Sequence, residues 1–414
     1  MEDVKRPLEG IKVLEMATFI AVPAVGRILA DLGAEVVKIE SAKGDNLRFT
    51  APNEGRPSDP HEDINFDLEN SGKKGIVVDL RTDKGREILF KLLDDTDVFL
   101  TNWRPQALAR KNLTYDDLKD RYPSLVYASL TGYGEKGPDK DLPGFDYTAF
   151  FARSGWSGSL YQKGTVPSNL IPAIGDHQGA LALTVGVLAA LFRAKTTGKG
   201  EKVTTNLLHT AVWVQSFQIQ GAQYGSEFGG VSYPFDRRDN QLPYQPAVQT
   251  KDDRFLQVMG PNFDIYYPLI LKAIGREDVL SDPVLSDQKE MIRTGRVGEA
   301  YDIIQAGFKT KTAAEWEPIL TELDIPFALC QTYDEVVRDE QAWANDVFCE
   351  VDYPRGKKAM VRPPIDFEET PLPPYEKAPL LGADTKAVLS DLGYSDDEIA
   401  SMIADKTVGV WEEK

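Results

Sequence analysis

The chain has few of the residues that bind metals or form disulfides. It contains two cysteines, Cys330 and Cys349, which excludes a disulfide framework and a CxxC redox pair and is typical of the reducing cytoplasm. Its three histidines, His61, His177 and His209, lie far apart in the sequence and show none of the short spacings of a metal site. The sequence therefore predicts a cytoplasmic protein without a resident metal.

Long hydrophobic runs are also missing. The N-terminal segment MEDVKRPLEG has no apolar signal core. The longest apolar run, Ala180–Ala194, is interrupted by Thr184, Gly186 and Arg193, and it falls short of the roughly 20 residues that span a bilayer. We therefore expect a buried helix in this run and no membrane association.

Positive charge is scarce, since 47 lysines and arginines stand against 65 aspartates and glutamates, for a net charge of -18. This argues against a nucleic-acid partner or an anionic lipid surface, because both need a basic surface on the protein. An anionic ligand would have to be held by a local basic cluster. With 414 residues, of which 42% are hydrophobic, the chain can form two or three globular units.

Strands and helices alternate over the first 130 residues. Ile11–Ala17 and Glu35–Glu40 are predicted strands, and the helix between them begins near Pro23 and ends at Gly33. The pattern continues with predicted strands at 75–80, 97–102 and 124–130 and predicted helices at 83–94, 105–111 and 115–121. This alternation predicts a doubly wound α/β domain with a parallel sheet.

The rest of the chain predicts loops, a long helix and a smaller domain. Residues 131–172 are rich in Gly, Pro and Asp and predict loops with one short helix near Tyr147–Ala152. A long helix is predicted at Asp176–Lys195, and Lys202–Gln220 is predicted as one strand running into another. These segments predict an N-terminal α/β domain at 1–220, a linker at 221–240 and a small α+β domain at 241–331, followed by residues 332–414.

The stretch LTGYGEKGPD contains a G-x-G-x-x-G pattern at Gly132, Gly134 and Gly137, which is a dinucleotide-binding fingerprint when it opens a helix. Here Pro138 and Pro143 follow the pattern, and no apolar helical period lies between them. The pattern is also absent from the first strand-to-helix turn, where a pyrophosphate would bind the helix N-terminus. We therefore interpret the stretch as a glycine loop beside a ligand site.

Two aspartates are candidates for chemistry. Asp176, in GDHQGALAL, precedes a long apolar helix. It could be the N-cap, which is the more common role of an aspartate there, or a carboxylate nucleophile whose pKa the helix N-terminus lowers. Asp146, in PGFDY, is the second candidate, and a plain loop or cap role is the alternative for it.

A basic segment follows the fourth predicted strand. Thr101–Asn112 contains Arg104, Arg110 and Lys111 and no acidic residue, in a chain that is strongly acidic overall. It is either a solvated basic face or a phosphate-binding corner at a strand end.

Seven motifs follow one another over nearly the whole chain: PLEGIKVLEMATFIAVPAVGRILADLGAEVVKIE, NSGKKGIVVDL, TNWRP, SLTGYGEKGP, GFDY, GDHQGALAL and APLLGADT. In this order they resemble the class III coenzyme A transferases. Within that family, GYGEKGPDKDLPGFDYTAFFARSG and EQAWAND look closest to transferases acting on 2-hydroxy acids, such as the phenyllactate and 2-hydroxyisocaproate enzymes of amino-acid fermentation.

The resemblance implies an interlocked homodimer with no tightly bound cofactor, in which CoA and acyl-CoA are substrates. It also implies that residues 1–220 form a large Rossmann-like CoA-binding domain, to which the chain returns at 332–414. The family's catalytic aspartate matches Asp176. It attacks an acyl-CoA to form an aspartyl-acyl anhydride, and the released CoA thiolate then gives an aspartyl-CoA thioester. An acceptor acid completes the exchange. The implied acceptor is a 2-hydroxy carboxylic acid, and the implied donor is a 2-enoyl- or related acyl-CoA with an aromatic or branched side chain.

The resemblance also matches ten positions to the CoA side of the family's site: Phe19, Ile20, Ala21, Arg48, Val78, Arg81, Asn102, Trp103, Arg110 and Asp146. Of these, Arg110 matches an arginine that contacts the CoA phosphates, and Asp146 matches an acidic position near the nucleophile. Ile20 departs from the glutamine of the oxalate-linked member, and that member's tetraglycine loop is missing here. An apolar residue at this position favours a bulky, less polar acyl group over oxalate or formate.

Two other functions are weighed against transfer. A 2-methylacyl-CoA racemase of the same fold has GHD where this chain has GFD, and it moves a proton with that histidine, which Phe145 cannot do. A non-catalytic CoA-binding protein is the second alternative, and the presence of Asp176 within GDHQG weighs against it.

Overall fold

The computed structural model of the chain describes residues 5–224 and 233–413. Their contacts divide them into two compact units. The large unit comprises the described parts of residues 1–156, 170–216 and 340–414, and the small unit those of 157–169 and 217–339. The domain bounds given above stay predictions, and residues 225–232 of the predicted linker lie outside the described residues.

Three sheets organise the described residues. In chain order the strands are β1 (Lys12–Met16), β2 (Glu35–Glu40), β3 (Lys74–Val78), β4 (Val98–Thr101), β5 (Val126–Thr131), β6 (Lys202–Asn206), β7 (Val248–Gln249), β8 (Phe255–Val258), β9 (Phe327–Leu329), β10 (Phe348–Tyr353), β11 (Gly356–Val361) and β12 (Val408–Gly409). The large sheet has the order β12-β3-β2-β1-β4-β5-β6, in which β12 alone is antiparallel to its neighbour. The sheet β7-β8-β9 and the hairpin β10-β11 are antiparallel. The six parallel strands have the order of a Rossmann fold, which confirms the predicted fold class.

Helices cover both faces of the large sheet. The helices of both units are, in chain order, α1 (Ala21–Asp31), α2 (Ile64–Asn70), α3 (Asp83–Leu93), α4 (Pro105–Ala109), α5 (Tyr115–Leu118), α6 (Trp156–Ser159), α7 (Ile174–Thr197), α8 (Leu207–Val214), α9 (Ser216–Gly221), α10 (Phe263–Ala273), α11 (Gln288–Thr294), α12 (Val297–Phe308), α13 (Ala313–Glu322), α14 (Tyr333–Val336), α15 (Glu340–Ala344), α16 (Thr385–Asp391) and α17 (Asp396–Ala404), with a π-helical segment at Asp146–Ala152. Helices α10–α14 belong to the small unit. Successive strand residues point to opposite faces, so Val13 packs with α1 and α7, and Leu14 packs with α3, α16 and α17.

The segment Lys202–Gln220 differs from its prediction, because the second of the two predicted strands is wrong. β6 ends at Asn206, whose side chain accepts a 2.7 Å hydrogen bond from the amide three residues later and caps α8. Leu207 and Ala211 then lie one helical turn apart and are buried in the core. The aromatic and β-branched residues that suggested a strand, such as Trp213, lie on the exposed side of the helix.

α7 is apolar on two sides. In the described part of the chain it is the one helix long and apolar enough to cross a membrane. Leu183 and Val187 are buried in the core that α7 shares with α1, as expected for a core helix. On another side, Val185 and Phe192 are 69% and 74% exposed.

The small unit has a core of its own. Trp316 of α13 is fully buried, and its ring centroid lies 4.7 Å from that of Phe308 in α12. The Trp316 indole N–H donates to the Phe308 carbonyl at 2.8 Å, so this polar atom is satisfied inside the core. Helices packed on a small antiparallel sheet make this an α+β unit.

Four charged side chains are fully buried between β1, β2 and the segments that follow them. Lys38 Nζ lies 2.9 Å from Glu15 Oε1 and 3.0 Å from Asp45 Oδ2, and it donates to the Ala17 carbonyl at 2.9 Å. Lys73 Nζ lies 2.7 Å from the other Glu15 oxygen. Burial lowers the pKa of Lys38, but the surrounding carboxylates raise it more, so the ammonium stays charged. We call Glu15, Lys38, Asp45 and Lys73 the buried ion cluster.

Lys38→Met removes the central cation and leaves Glu15 and Asp45 as poorly compensated buried charges. We expect the free energy of unfolding to fall by about 3–5 kcal/mol. Urea denaturation followed by circular dichroism measures the change. Lys43→Met, at an exposed position after β2, is the matched control and should stay within about 0.5 kcal/mol of the parent. Equal midpoints for the two variants would show that the cluster does not stabilise the fold.

Candidate active site

A cavity opens where the strand order of the large sheet reverses. The chain leaves β1 towards β2 on one side while β4 lies on the other, so the loops after β1 and β4 diverge. The crevice between such loops is where ligands bind in doubly wound sheets. The cavity has a volume of about 620 Å³. Six of the predicted site residues line it: Phe19, Ile20, Ala21, Asn102, Asp146 and Asp176.

The loop after β1 is held in an uncommon backbone conformation. Phe19 has a φ of 63°, in the left-handed region that residues with a side chain seldom adopt. Its amide donates a 2.9 Å hydrogen bond to Oδ1 of Asp45, a member of the buried ion cluster. Asn102, after β4, accepts from the Thr18 amide at 3.1 Å and donates to the Thr18 carbonyl at 2.7 Å. Residues that follow β2 and β4 therefore hold the loop after β1, which forms this wall of the cavity.

Asp146 and Asp176 meet at the first turn of α7. The N-cap of α7 is Ala173, which has a φ of 76° and no capping side chain. The Gly175 amide instead donates a 3.0 Å hydrogen bond to Asp146 Oδ1, so Asp146 caps the helix from an earlier part of the chain. The cap role weighed for Asp176 is wrong, because Asp176 lies inside the first turn and lines the cavity.

Both carboxylates have raised pKa values, because their surroundings disfavour the ionised form of each. Burial raises the pKa of Asp146 to about 6, although backbone amides donate to it. Burial raises the pKa of Asp176 to about 7, the charge of Asp146 adds to that rise, and His177 opposes it. The expectation of a lowered pKa for Asp176 is therefore wrong, because desolvation and the neighbouring carboxylate outweigh the helix dipole.

A histidine and a glutamate line the cavity next to Asp176. His177 Nε2 lies 2.8 Å from Oε1 of Glu69 in α2, and Glu69 is 4% exposed. Burial lowers the pKa of His177, but the hydrogen bond and the charge of Glu69 raise it, helped by Asp176 and Asp146. The pKa of His177 therefore lies above its ordinary value.

The glycine stretch forms a loop, as predicted, and no helix follows it until Asp146. Gly132 and Gly144 touch: a Cβ added to Gly132 would lie 2.5 Å from the Gly144 Cα. Gly132 and residues 140–147 line the cavity. The stretch is therefore part of the cavity wall without the geometry of a dinucleotide fingerprint.

Aromatic side chains form an apolar side of the cavity. The rings of Phe19 and Phe145 meet edge to face with centroids 6.1 Å apart. Phe145 is 57% exposed, and Ile20 and Leu68 line the cavity with it. This side suits an apolar group of a ligand.

Trp103 and Arg110 lie outside this cavity. Trp103 lines a second cavity of about 420 Å³, which shares Gln106 and Lys140 with the first. Arg110 is exposed and lines neither cavity, whereas Arg104 lines the first. The assignment of Trp103 and Arg110 to CoA stays a prediction.

The three remaining predicted residues are engaged elsewhere. Arg48 donates to both carboxylate oxygens of Glu40, with its Nη2 at 2.7 Å from Oε1, and is largely buried. Val78 is buried at the end of β3, and Arg81 is exposed and paired with Asp79. None of the three lines the cavity, so their assignment to CoA also stays a prediction.

Sequence reasoning missed Glu69 and Lys140 as lining residues and the contact of His177 with Glu69. Glu69 lies 108 residues before His177, and neither stands in a pattern that signals the pair. Within residues 5–224 and 233–413, no group of three or more His, Cys, Asp or Glu side chains could hold a metal ion.

Gly175→Ala tests the contact between Asp146 and α7. The added Cβ would lie 2.3 Å from Asp146 Oδ1 and 2.3 Å from Phe150 Cγ, in two buried side chains. We expect the free energy of unfolding to fall by about 1–3 kcal/mol, as overpacking does. Urea denaturation measures it. Gly221→Ala, where no atom lies within 4 Å of the added Cβ, is the control and should not lose stability. An unchanged midpoint for Gly175→Ala would contradict this packing.

Comparison with known proteins shows which family the chain belongs to. The profile of CoA-transferase family III matches residues 8–385. The chain is 48% identical, over 415 aligned residues that cover 100% of both chains, to the cinnamoyl-CoA:phenyllactate CoA-transferase of Clostridium sporogenes. It is 40% identical to the (R)-2-hydroxy-4-methylpentanoate CoA-transferase of Clostridioides difficile, over 97% of this chain and 99% of the other.

A solved structure agrees with these sequence matches. The crystal structure of a CaiB/BaiF family protein from Brucella suis superposes with a TM-score of 0.79 and 25% identity, over 94% of this chain and 100% of that chain. The family match covers most of the chain, and it agrees with the family that the sequence motifs suggested. The chain therefore belongs to CoA-transferase family III.

Proposed function

We propose that this protein transfers CoA from a 2-enoyl- or related acyl-CoA to a 2-hydroxy carboxylic acid, with Asp176 as the nucleophile. One observation carries the proposal: in a chain of CoA-transferase family III, a half-buried carboxylate lines the cavity at the strand reversal of the sheet. The names of two relatives, with 48% and 40% identity, both contain a 2-hydroxy acid as substrate.

The reaction passes through covalent intermediates on one carboxylate. Asp176 attacks the acyl-CoA carbonyl, which forms an aspartyl-acyl anhydride and expels the CoA thiolate. The thiolate attacks the aspartyl carbonyl, which releases the donor acid as its carboxylate and leaves an aspartyl-CoA thioester. The acceptor carboxylate attacks this thioester to form a second anhydride, and the thiolate then attacks the acceptor's carbonyl and frees Asp176.

The overall reaction replaces one CoA thioester with another, so the exchange is nearly isoenergetic and needs no separate energy source. The first turn of α7 supports the charge that develops at the reacting carbonyls, because a helix N-terminus is partly positive. The glycine loop at Gly132–Gly137 either shields the anhydride from water or donates to its oxyanion.

The apolar side of the cavity takes the acyl group. Phe19, Ile20 and Phe145 offer an aromatic and aliphatic surface beside the nucleophile. An aromatic or branched side chain would bury apolar area there, whereas a small dianion such as oxalate would not.

The CoA moiety extends along the shared edge of the two cavities. Lys140 lines both, and Arg104 lines the first, so two exposed cations lie along this path in a protein with a net charge of -18. Trp103 lines the second cavity, where it would pack on pantetheine or adenine. The contact of Arg110 with the phosphates rests on the family resemblance alone. CoA is a substrate in this scheme and not a resident cofactor.

Two copies of the chain form an interlocked homodimer in this proposal. Ala182, Val185, Ala189 and Phe192 make an exposed apolar stripe along α7, at helical spacings of three and four residues. An exposed apolar stripe of this kind marks an interface, and Trp213 of α8 is exposed as well. Cytoplasmic localisation stays a prediction; Cys330 and Cys349 are both free.

Asp176→Asn keeps the size of the side chain and removes the nucleophile, so CoA exchange should fall by about 10³-fold or more. Chromatography of the acyl-CoA products measures the exchange.

Hydroxylamine added with acyl-CoA should modify Asp176 in the parent, as seen by peptide mass spectrometry. Asp120→Asn, at an exposed carboxylate that lines neither cavity, is the control and should keep the parental rate within about threefold. Normal exchange by the Asp176 variant would exclude this nucleophile, and racemisation without an acceptor acid would favour the racemase.

The acid limb of kcat/KM should reflect Asp176, because only its carboxylate attacks. With a pKa of about 7, the rate should rise as the pH increases through 7. Asp146→Asn keeps an acceptor for the Gly175 amide but removes the like charge, so the pKa of Asp176 should fall and the limb should move to lower pH by about half to one unit. Asp120→Asn should leave the limb in place, since its charge is exposed, screened and outside both cavities. A limb that stays at its parental pH in Asp146→Asn would contradict the coupling.

A further inference from the structure

The cavity presents a problem for an anionic substrate. Its lining contains five carboxylates, Glu54, Glu69, Asp141, Asp146 and Asp176, whereas its permanent cations, Arg104 and Lys140, are both exposed. The acceptor in the proposed function is itself a carboxylate and must bring its oxygen to the Asp176 carbonyl. Some cationic group close to Asp176 must therefore receive it.

His177 is that group by position. It follows Asp176 directly in the first turn of α7, lines the cavity and keeps 43% of its side chain exposed. Its Nε2 lies 2.8 Å from Glu69, and Nδ1 has no hydrogen-bond partner within the described residues. An imidazolium donates from both ring nitrogens, so one N–H serves Glu69 and the other is available to a ligand.

Glu69 keeps that imidazolium charged and oriented. It is 4% exposed, and His177 is the cationic side chain paired with it in the described part of the chain. A buried carboxylate without a cation beside it is costly, so the pair favours the protonated histidine. The ring is thereby fixed by α2 while its free edge remains at the cavity.

We propose that His177, oriented by Glu69, binds the carboxylate of the acceptor acid and presents it to the Asp176 thioester. This inference rests on the proposed function. It also gives the two half-reactions an order, because free Asp176 is an anion that competes for His177 and repels the acceptor. Once Asp176 is a neutral CoA thioester, the imidazolium is free to pair with the incoming carboxylate.

His177→Gln tests the inference, because it removes the charge but can still donate to Glu69. With cinnamoyl-CoA as donor and phenyllactate as the varied acceptor, KM for phenyllactate should rise about tenfold or more, as expected for a lost charge-assisted hydrogen bond. KM for cinnamoyl-CoA should change less than about twofold, since the donor's reacting group is an uncharged thioester. His61→Gln, at an exposed histidine outside the cavity, is the matched control and should change neither constant.

Glu69→Gln separates positioning from simple loss of fold. It keeps an acceptor for His177 and removes the charge, so KM for phenyllactate should again rise while KM for cinnamoyl-CoA stays constant. The double variant should add little to His177→Gln, because both residues act through one contact. Rescue of the acceptor KM by a longer cation, in His177→Lys, would support the charge as the cause.

The thioester half-reaction distinguishes this inference from the proposed function. Incubation with cinnamoyl-CoA alone should form the Asp176 thioester in the parent and in His177→Gln at similar rates. An unchanged KM for phenyllactate in His177→Gln, or equal rises in both KM values, would overturn the role of His177 while the proposed function stands. Absence of the thioester in the parent would overturn the proposed function itself.

Discussion

The ammonium of Lys38 connects the sheet to the cavity. It lies between Glu15 of β1 and Asp45 after β2. Asp45 in turn accepts a hydrogen bond from the Phe19 amide. That hydrogen bond supports the left-handed backbone of Phe19, which carries the first wall of the cavity. Charges buried this deeply stabilise a fold only when all partners are in place. The cluster therefore favours one geometry of the loop after β1, and the cavity depends on that geometry.

A second set of charges sets the chemistry at the first turn of α7. Asp146 caps the helix and thereby brings a like charge to Asp176, which raises the pKa of the proposed nucleophile towards neutrality. His177 and its partner Glu69 offset part of that charge on the same turn. In the proposed mechanism, acylation removes the charge of Asp176, so each covalent step would change which anion the site accepts.

Local patterns predicted most of the large unit and failed where two local signals competed. The apolar runs of β1, β2 and β5 and the amphipathic face of α3 predicted those elements to within a few residues. After β6 the aromatic and β-branched residues suggested a strand, but the cap at Asn206 and the packing of Ala211 made a helix. Tertiary packing overrides strand propensity in this segment, because one face of α8 packs against the core.

The sequence by itself determined the doubly wound fold, the family and the position of Asp176 at the start of α7, because apolar periodicity and ordered motifs are properties of contiguous residues. Only the tertiary structure decided that Asn102 holds Thr18, that Asp146 caps α7 and that Glu69 pairs with His177. These partners are 84, 29 and 108 residues apart, and no local pattern links them. Their pairing follows from packing that places separate loops and helix ends on one cavity, where burial then sets the protonation of each charged group.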